Sequence, residues 1–114
     1  MSDSIFHKII RREIPAKIVK ETDEIIAIND VNPKSPIHIL VIPKKTLKSV
    51  NSAGPEDAEL LGKLLLTAKE IAEELGIDEN GYRLVINTGV DGGQTVDQLH
   101  LHLLAGRLHG WPPG

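Results

Sequence analysis

"DQLHLHLLAGR", residues 97–107, alternates polar side chains with leucines at the period of an extended strand. Successive strand side chains point to opposite faces, so Leu99, Leu101 and Leu103 share one face while Gln98, His100 and His102 share the other. The leucines make a surface for a helix to cover, and the polar row turns away from that core toward solvent or a ligand. Neighbours on one face lie about 7 Å apart, so both imidazoles can reach a single phosphate-sized group.

The segments around this strand supply what a sheet needs. A glycine-rich loop, "TGVDGGQT" (88–95), runs into it from a shorter apolar run, "YRLVIN" (82–87). Backbone N–H groups of such a loop can form a concavity for an anion, with the Thr95 hydroxyl as a further donor facing His100. "HILVIP" (38–43) is a continuous apolar run ended by Pro43, the pattern of a central strand buried on both faces, and it opens with a third histidine, His38. After Pro55, the residues Leu61, Leu64, Leu65, Ala68, Ile71, Ala72 and Leu75 recur at helical spacing, and Gly76 supplies the stop.

At the N-terminus Ile5, Phe6, Ile9 and Ile10 predict a short helix, capped by Asp3 or Ser4 and ended by Pro15. "KIVKE" and "EIIAI" predict a β-hairpin turning at Thr22 and Asp23, and "NDVNPKSP" (29–36) is a loop rich in turn-forming residues. One short helix, three strands, one long helix and two further strands imply a single α+β domain over residues 1–114. Its five-stranded antiparallel sheet would be covered on one side by helices.

Composition narrows the chemistry. The 114 residues include no cysteine, which excludes a disulfide framework, a thiolate metal site and a cysteine nucleophile. The formal charge of −3 is spread along the chain, so nothing draws nucleic acid or anionic lipid to it, and no apolar stretch is long enough for a membrane span or signal peptide. A cytoplasmic protein is expected. His7 and His109 lie outside the polar row and are expected at the surface, as is the Lys44–Lys45 pair. His100 and His102 together with His38 could also hold zinc with a fourth position open. Against that reading, the His strand carries no further carboxylate than Asp97, which belongs to the opposite face.

Five stretches, "IFHKIIRREIPAKIV", "AINDVNPKSPIHILVIPKK", "GYRLVINTGVDGGQTV", "LHLHLLAGR" and the terminal "WPPG", together resemble the histidine triad (HIT) superfamily, in particular its Hint branch of nucleoside phosphoramidases, over nearly the whole chain. The resemblance implies a HIT-like fold, a two-fold homodimer with a continuous sheet, a purine nucleotide substrate and no cofactor. Asp30 would accept hydrogen bonds from the ribose hydroxyls, and Ile5, Phe6, Ile9, Ile28 and Val31 would line the base. Asn87, Gly93, Gln94 and Thr95 would surround the sugar and phosphate. His100 would attack the phosphorus, His102 contact the phosphoryl oxygens and His38 support the row. Trp111 would approach the partner subunit's site.

The departure is Gln98, which stands where the family pattern has the first histidine of the triad. Glutamine donates and accepts hydrogen bonds but takes up no proton near neutral pH. If that position serves through its backbone carbonyl, orienting the His100 ring, Gln98 supplies the same group and activity is reduced at most. If it serves through a side-chain relay toward His38, turnover falls, and the chain becomes a nucleotide-binding or scaffolding dimer.

Overall fold

The computed structural model describes residues 3–114. Helix α1 spans Ile5–Ile10, followed by strands β1 (Ile18–Glu21), β2 (Ile25–Asn29) and β3 (Ile37–Pro43). After two short 3₁₀ turns come helix α2 (Ala58–Glu74) and strands β4 (Arg83–Val85) and β5 (Leu101–Ala105). The strands form one antiparallel sheet in the order β1-β2-β3-β5-β4, so β3 and the histidine strand are neighbours in its interior. The α+β class and the five-stranded antiparallel sheet agree with the sequence reading.

The placement of the helices does not. Ile25, Ala27, Ile39, Val41, Leu99, Leu101 and Leu103 pack with Leu64, Ala68 and Ile71 of α2 on one face of the sheet. On the other face Ile26, Ile28, Leu40 and Ile42 pack with Phe6 and Ile9 of α1. One helix therefore covers each face, because β2 and β3 carry apolar residues on both of their faces and bury both sides.

Several boundaries also move, each for a local reason. α1 stops at Ile10, well before Pro15, and Arg12 takes a left-handed φ of 64° just beyond it. The hairpin turn is centred on Asp23 and Glu24. It needs no glycine because the Thr22 hydroxyl accepts from the Ile25 N–H at 3.1 Å while the Thr22 N–H donates to the Ile25 carbonyl at 2.8 Å. α2 ends as expected, with Gly76 at φ 71° and the Gly76 and Ile77 N–H groups returning to Glu73 and Ala72. Its buried stripe is narrower than the spacing suggests: Thr67 is buried, whereas Leu65, Leu66 and Leu75 are exposed. None of the helices among the described residues is long and apolar enough to cross a membrane.

Candidate active site

The β5 ladder begins at Leu101, yet Gln98, Leu99 and His100 just before it are all buried. What fixes them is the segment after β3: the Leu99 N–H donates to the Leu47 carbonyl at 2.7 Å. The Gln98 amide fills the rest. Its Nε2 donates to the Pro43 and Lys45 carbonyls at 3.0 and 2.8 Å, and its Oε1 accepts from the Leu47 N–H at 3.1 Å and pairs with His7 Nε2 at 3.0 Å. Gln98 thus keeps to the α1 side of the sheet with His100, as alternation assigns it, but it is fully buried rather than turned to solvent.

His7 is also buried, contrary to the surface position expected of it. The Ser4 N–H donates to His7 Nδ1 at 3.0 Å within a capping box at the start of α1. With its Nδ1 accepting, the neutral ring carries its proton on Nε2 and donates it to Gln98. No signal in the sequence pairs these residues, which lie 91 positions apart.

The same accounting fixes His38, His100 and His102. His100 Nδ1 lies 2.7 Å from the Gln98 backbone carbonyl, a group that can only accept. The proton is therefore on Nδ1, and His100 Nε2 keeps its lone pair. The Lys34 N–H donates to His38 Nδ1 at 3.0 Å, so His38 carries its proton on Nε2, which lies 2.9 Å from His102 Nδ1 and 3.4 Å from Asp30 Oδ2. His102 then accepts at Nδ1 and carries its own proton on Nε2, a buried nitrogen without a hydrogen-bond partner. His100 and His102, with ring centroids 4.9 Å apart, thus offer opposite groups: a lone pair on one, a donor on the other.

Burial drives all three rings toward the neutral form. It lowers the His38 pKa against a smaller opposing pull from Asp30, and lowers that of His100 against the Gln98 carbonyl and Asp30. His102 falls to about 4, through burial first and then through the neighbouring His100 and His38.

His100 and His102 line a cavity of about 280 Å³. Its apolar wall includes Ile5, Phe6, Ile9, Ile28 and Val31, and Asp30 and Thr95 bring polar groups to it. Sequence reasoning did not single out Ile14, Pro15, Ala16, Asn29, Leu40 and Val96, which also line it. Phe6 meets His100 edge-on at 5.0 Å between centroids. His38 stands behind His102, outside the lining. Asn87, Gly93, Gln94 and Trp111 lie outside it too, and Trp111 is exposed.

The glycine loop is not the open cradle that its composition suggests. The Gly93 and Gln94 N–H groups bond inside the loop to Val90 and Gly89, and the Gln94 side chain is spent on Gly89, Lys48 and Val96. Of that segment only Thr95 reaches the cavity. His109 is not free at the surface either, since its Nε2 lies 2.7 Å from the hydroxyl of buried Ser35. A larger groove of about 520 Å³ runs past Asn80, Arg83, Arg107 and His109, away from the histidine row. Its guanidinium groups are engaged with backbone carbonyls, Arg83 with Gly110 and Arg107 with Lys34.

Asp30, His38 and His102 bring potential metal ligand atoms within 4.8 Å of one another. The ring protons do not fit a cation there. His38 Nε2 and His102 Nδ1 face each other across one shared proton, and His38 Nδ1 is taken by the Lys34 N–H. Neither ring has a lone pair to give while those bonds stand.

Comparison with known proteins places this arrangement in a group. The model of the HIT domain matches residues 11–109. An uncharacterised HIT-like protein of Synechocystis is 60% identical over 112 residues, spanning 98% of this chain and 97% of that protein. A 14 kDa zinc-binding protein of Brassica juncea is 46% identical over 114 residues, spanning 98% of this chain and all (100%) of that protein. The crystal structure of a HIT family hydrolase from Legionella pneumophila superposes with a TM-score of 0.96 at 46% identity, covering 98% of this chain and 100% of that one. The histidine row on the interior strand and the family model that spans it agree, and the chain belongs to the HIT domain family.

Proposed function

We propose that the protein is a nucleotide hydrolase of the Hint type, which cleaves the P–N bond of nucleoside 5′-phosphoramidates through a nucleotidyl-histidine intermediate. The observation that carries this reading is the opposed pair of ring tautomers. His100 Nε2 has the lone pair a nucleophile needs, held there by the Gln98 carbonyl, and His102 Nε2–H is a buried donor in want of an acceptor. A phosphoryl oxygen would satisfy it, and would be stabilised as its charge grows.

The base lies along Ile5, Phe6, Ile9 and Ile28, and Asp30 accepts from the ribose hydroxyls. The His100 Nε2 lone pair forms the bond to phosphorus as the P–N bond breaks, and the departing amine takes a proton. Thr95 and His102 are the donors nearest the reaction. Water then attacks the phosphorus, His100 leaves, and the nucleoside monophosphate is released. No step needs a metal, and the zinc-binding name of the Brassica relative finds no free ring lone pair at His38 or His102 beside Asp30.

The test is turnover of adenosine 5′-phosphoramidate, run beside His100→Ala, with acid quenching to trap an acid-labile adduct on the protein. Turnover and an adduct that both vanish in His100→Ala are the expected result. Retained binding of AMP without turnover or adduct points instead to a nucleotide-binding module. That second reading draws support from Gln98, whose side chain takes up no proton.

A further inference from the structure

All four bonding positions of the Gln98 amide are taken, three by the backbone around Pro43, Lys45 and Leu47 and the fourth by His7. The peptide carbonyl of that same residue holds the His100 ring at 2.7 Å. Helix α1, which carries His7, also carries Phe6, in edge contact with His100. The geometry points to a positioning role for the His7–Gln98 pair: a hydrogen bond from α1 locks the peptide that orients the nucleophile, tying the wall of the nucleotide cavity to the attacking nitrogen. This rests on the reading of His100 as that nucleophile.

Capping does not account for a histidine at position 7. The box at the start of α1 needs only an acceptor for the Ser4 N–H, and Glu or Gln serves there as the usual partner. What the imidazole adds is a second group, a donor on the far side of the ring, aimed at Gln98 Oε1. Glutamine has both functions at a similar separation, an acceptor oxygen and a donor nitrogen. Glutamate has only acceptors. The two substitutions keep the cap and differ in the bond to Gln98.

The experiment compares the full chain with His7→Gln and His7→Glu. Proton–nitrogen correlation spectra of the histidine rings, recorded at about pH 8 where imidazoles are neutral, report the His100 tautomer. Turnover of adenosine 5′-phosphoramidate gives kcat and KM. The natural chain and His7→Gln are expected to hold His100 in the Nδ1–H form with matching kcat. In His7→Glu the ring populates both tautomers and kcat falls about tenfold, with KM changed less than about threefold, because the nucleophile is misaimed while the cavity persists.

An unchanged His100 tautomer and kcat in His7→Glu overturn the proposal, and so does a His7→Gln variant that behaves like His7→Glu. Should His7→Glu fail to fold, His7→Ala takes its place with the same two readouts. If even the natural chain turns nothing over, the phosphoramidase reading fails, and the tautomer spectra alone decide the positioning claim.

Discussion

Gln98 has two acceptor and two donor positions, and the fold fills each with a separate partner. A neutral histidine at the same place offers one donor and one acceptor, so at least two buried groups would lose their bond. Gln98→His is therefore expected to destabilise the protein, by about 1–3 kcal/mol for each group left unpaired, and to bring no gain in turnover. Urea denaturation and steady-state kinetics on the one variant check both halves. The neighbouring rings make a second prediction. His38, His100 and His102 are all shifted below the ordinary histidine value, so the unfolded chain binds protons that the folded chain refuses. Their contribution to stability is complete above the unfolded value of about 6.5 and is lost as pH falls toward the value of about 4 at His102. The urea midpoint should drop across that window, more steeply than in a His102→Asn variant. Turnover, which needs His100 neutral, should hold at pH values below those at which a free imidazole is already protonated.

Among the elements, α2 was legible because its long apolar stripe and its glycine stop act within one segment. Ile71 is fully buried against the sheet, whereas Leu66 is exposed. Ile71→Ala should cost about 2–5 kcal/mol in chemical denaturation, whereas Leu66→Ala should leave the folding of the isolated chain within about 0.5 kcal/mol. The start of β5 was less legible. Alternation put Gln98 in one row with His100 and His102, and it stays on that side of the sheet, but its amide is buried in bonds to the carbonyls of Pro43 and Lys45 instead of facing a ligand. The glycine loop was misread for a related reason: composition shows which N–H groups exist, and the turn decides that those of Gly93 and Gln94 are spent on Val90 and Gly89. α1 is a short helix whose position depends on contacts with the far side of the sheet, and its histidine was placed at the surface for want of any local partner.

Over the whole molecule, each face of one sheet carries its own helix and its own cluster, and the candidate site opens on the side of the shorter helix. The longer helix leaves Leu65, Leu66 and Leu75 exposed, and Trp111 stands free near the C-terminus. The Hint reading implies a two-fold dimer, in which Trp111 would approach the site of the second subunit. Light scattering at micromolar concentration should give twice the chain mass, and a monomer mass would contradict the dimer. Truncation before Trp111 should then alter KM for the nucleotide more than it alters the stability of the fold.

By itself the sequence determined the class of the fold and the pairing of His100 with His102 on one face. These follow from periods of two and 3.6 residues, which are properties of the backbone and need no distant partner. Only the tertiary structure decided that the helices take opposite faces, that His7 and Gln98 meet, and which nitrogen of His7, His38, His100 and His102 carries the proton. Those outcomes depend on hydrogen bonds between residues as far apart as 7 and 98 or 38 and 102. The proton is placed in each case by a group that can only donate or only accept: the Ser4 and Lys34 N–H groups keep it off Nδ1 of His7 and His38, and the Gln98 carbonyl holds it on Nδ1 of His100.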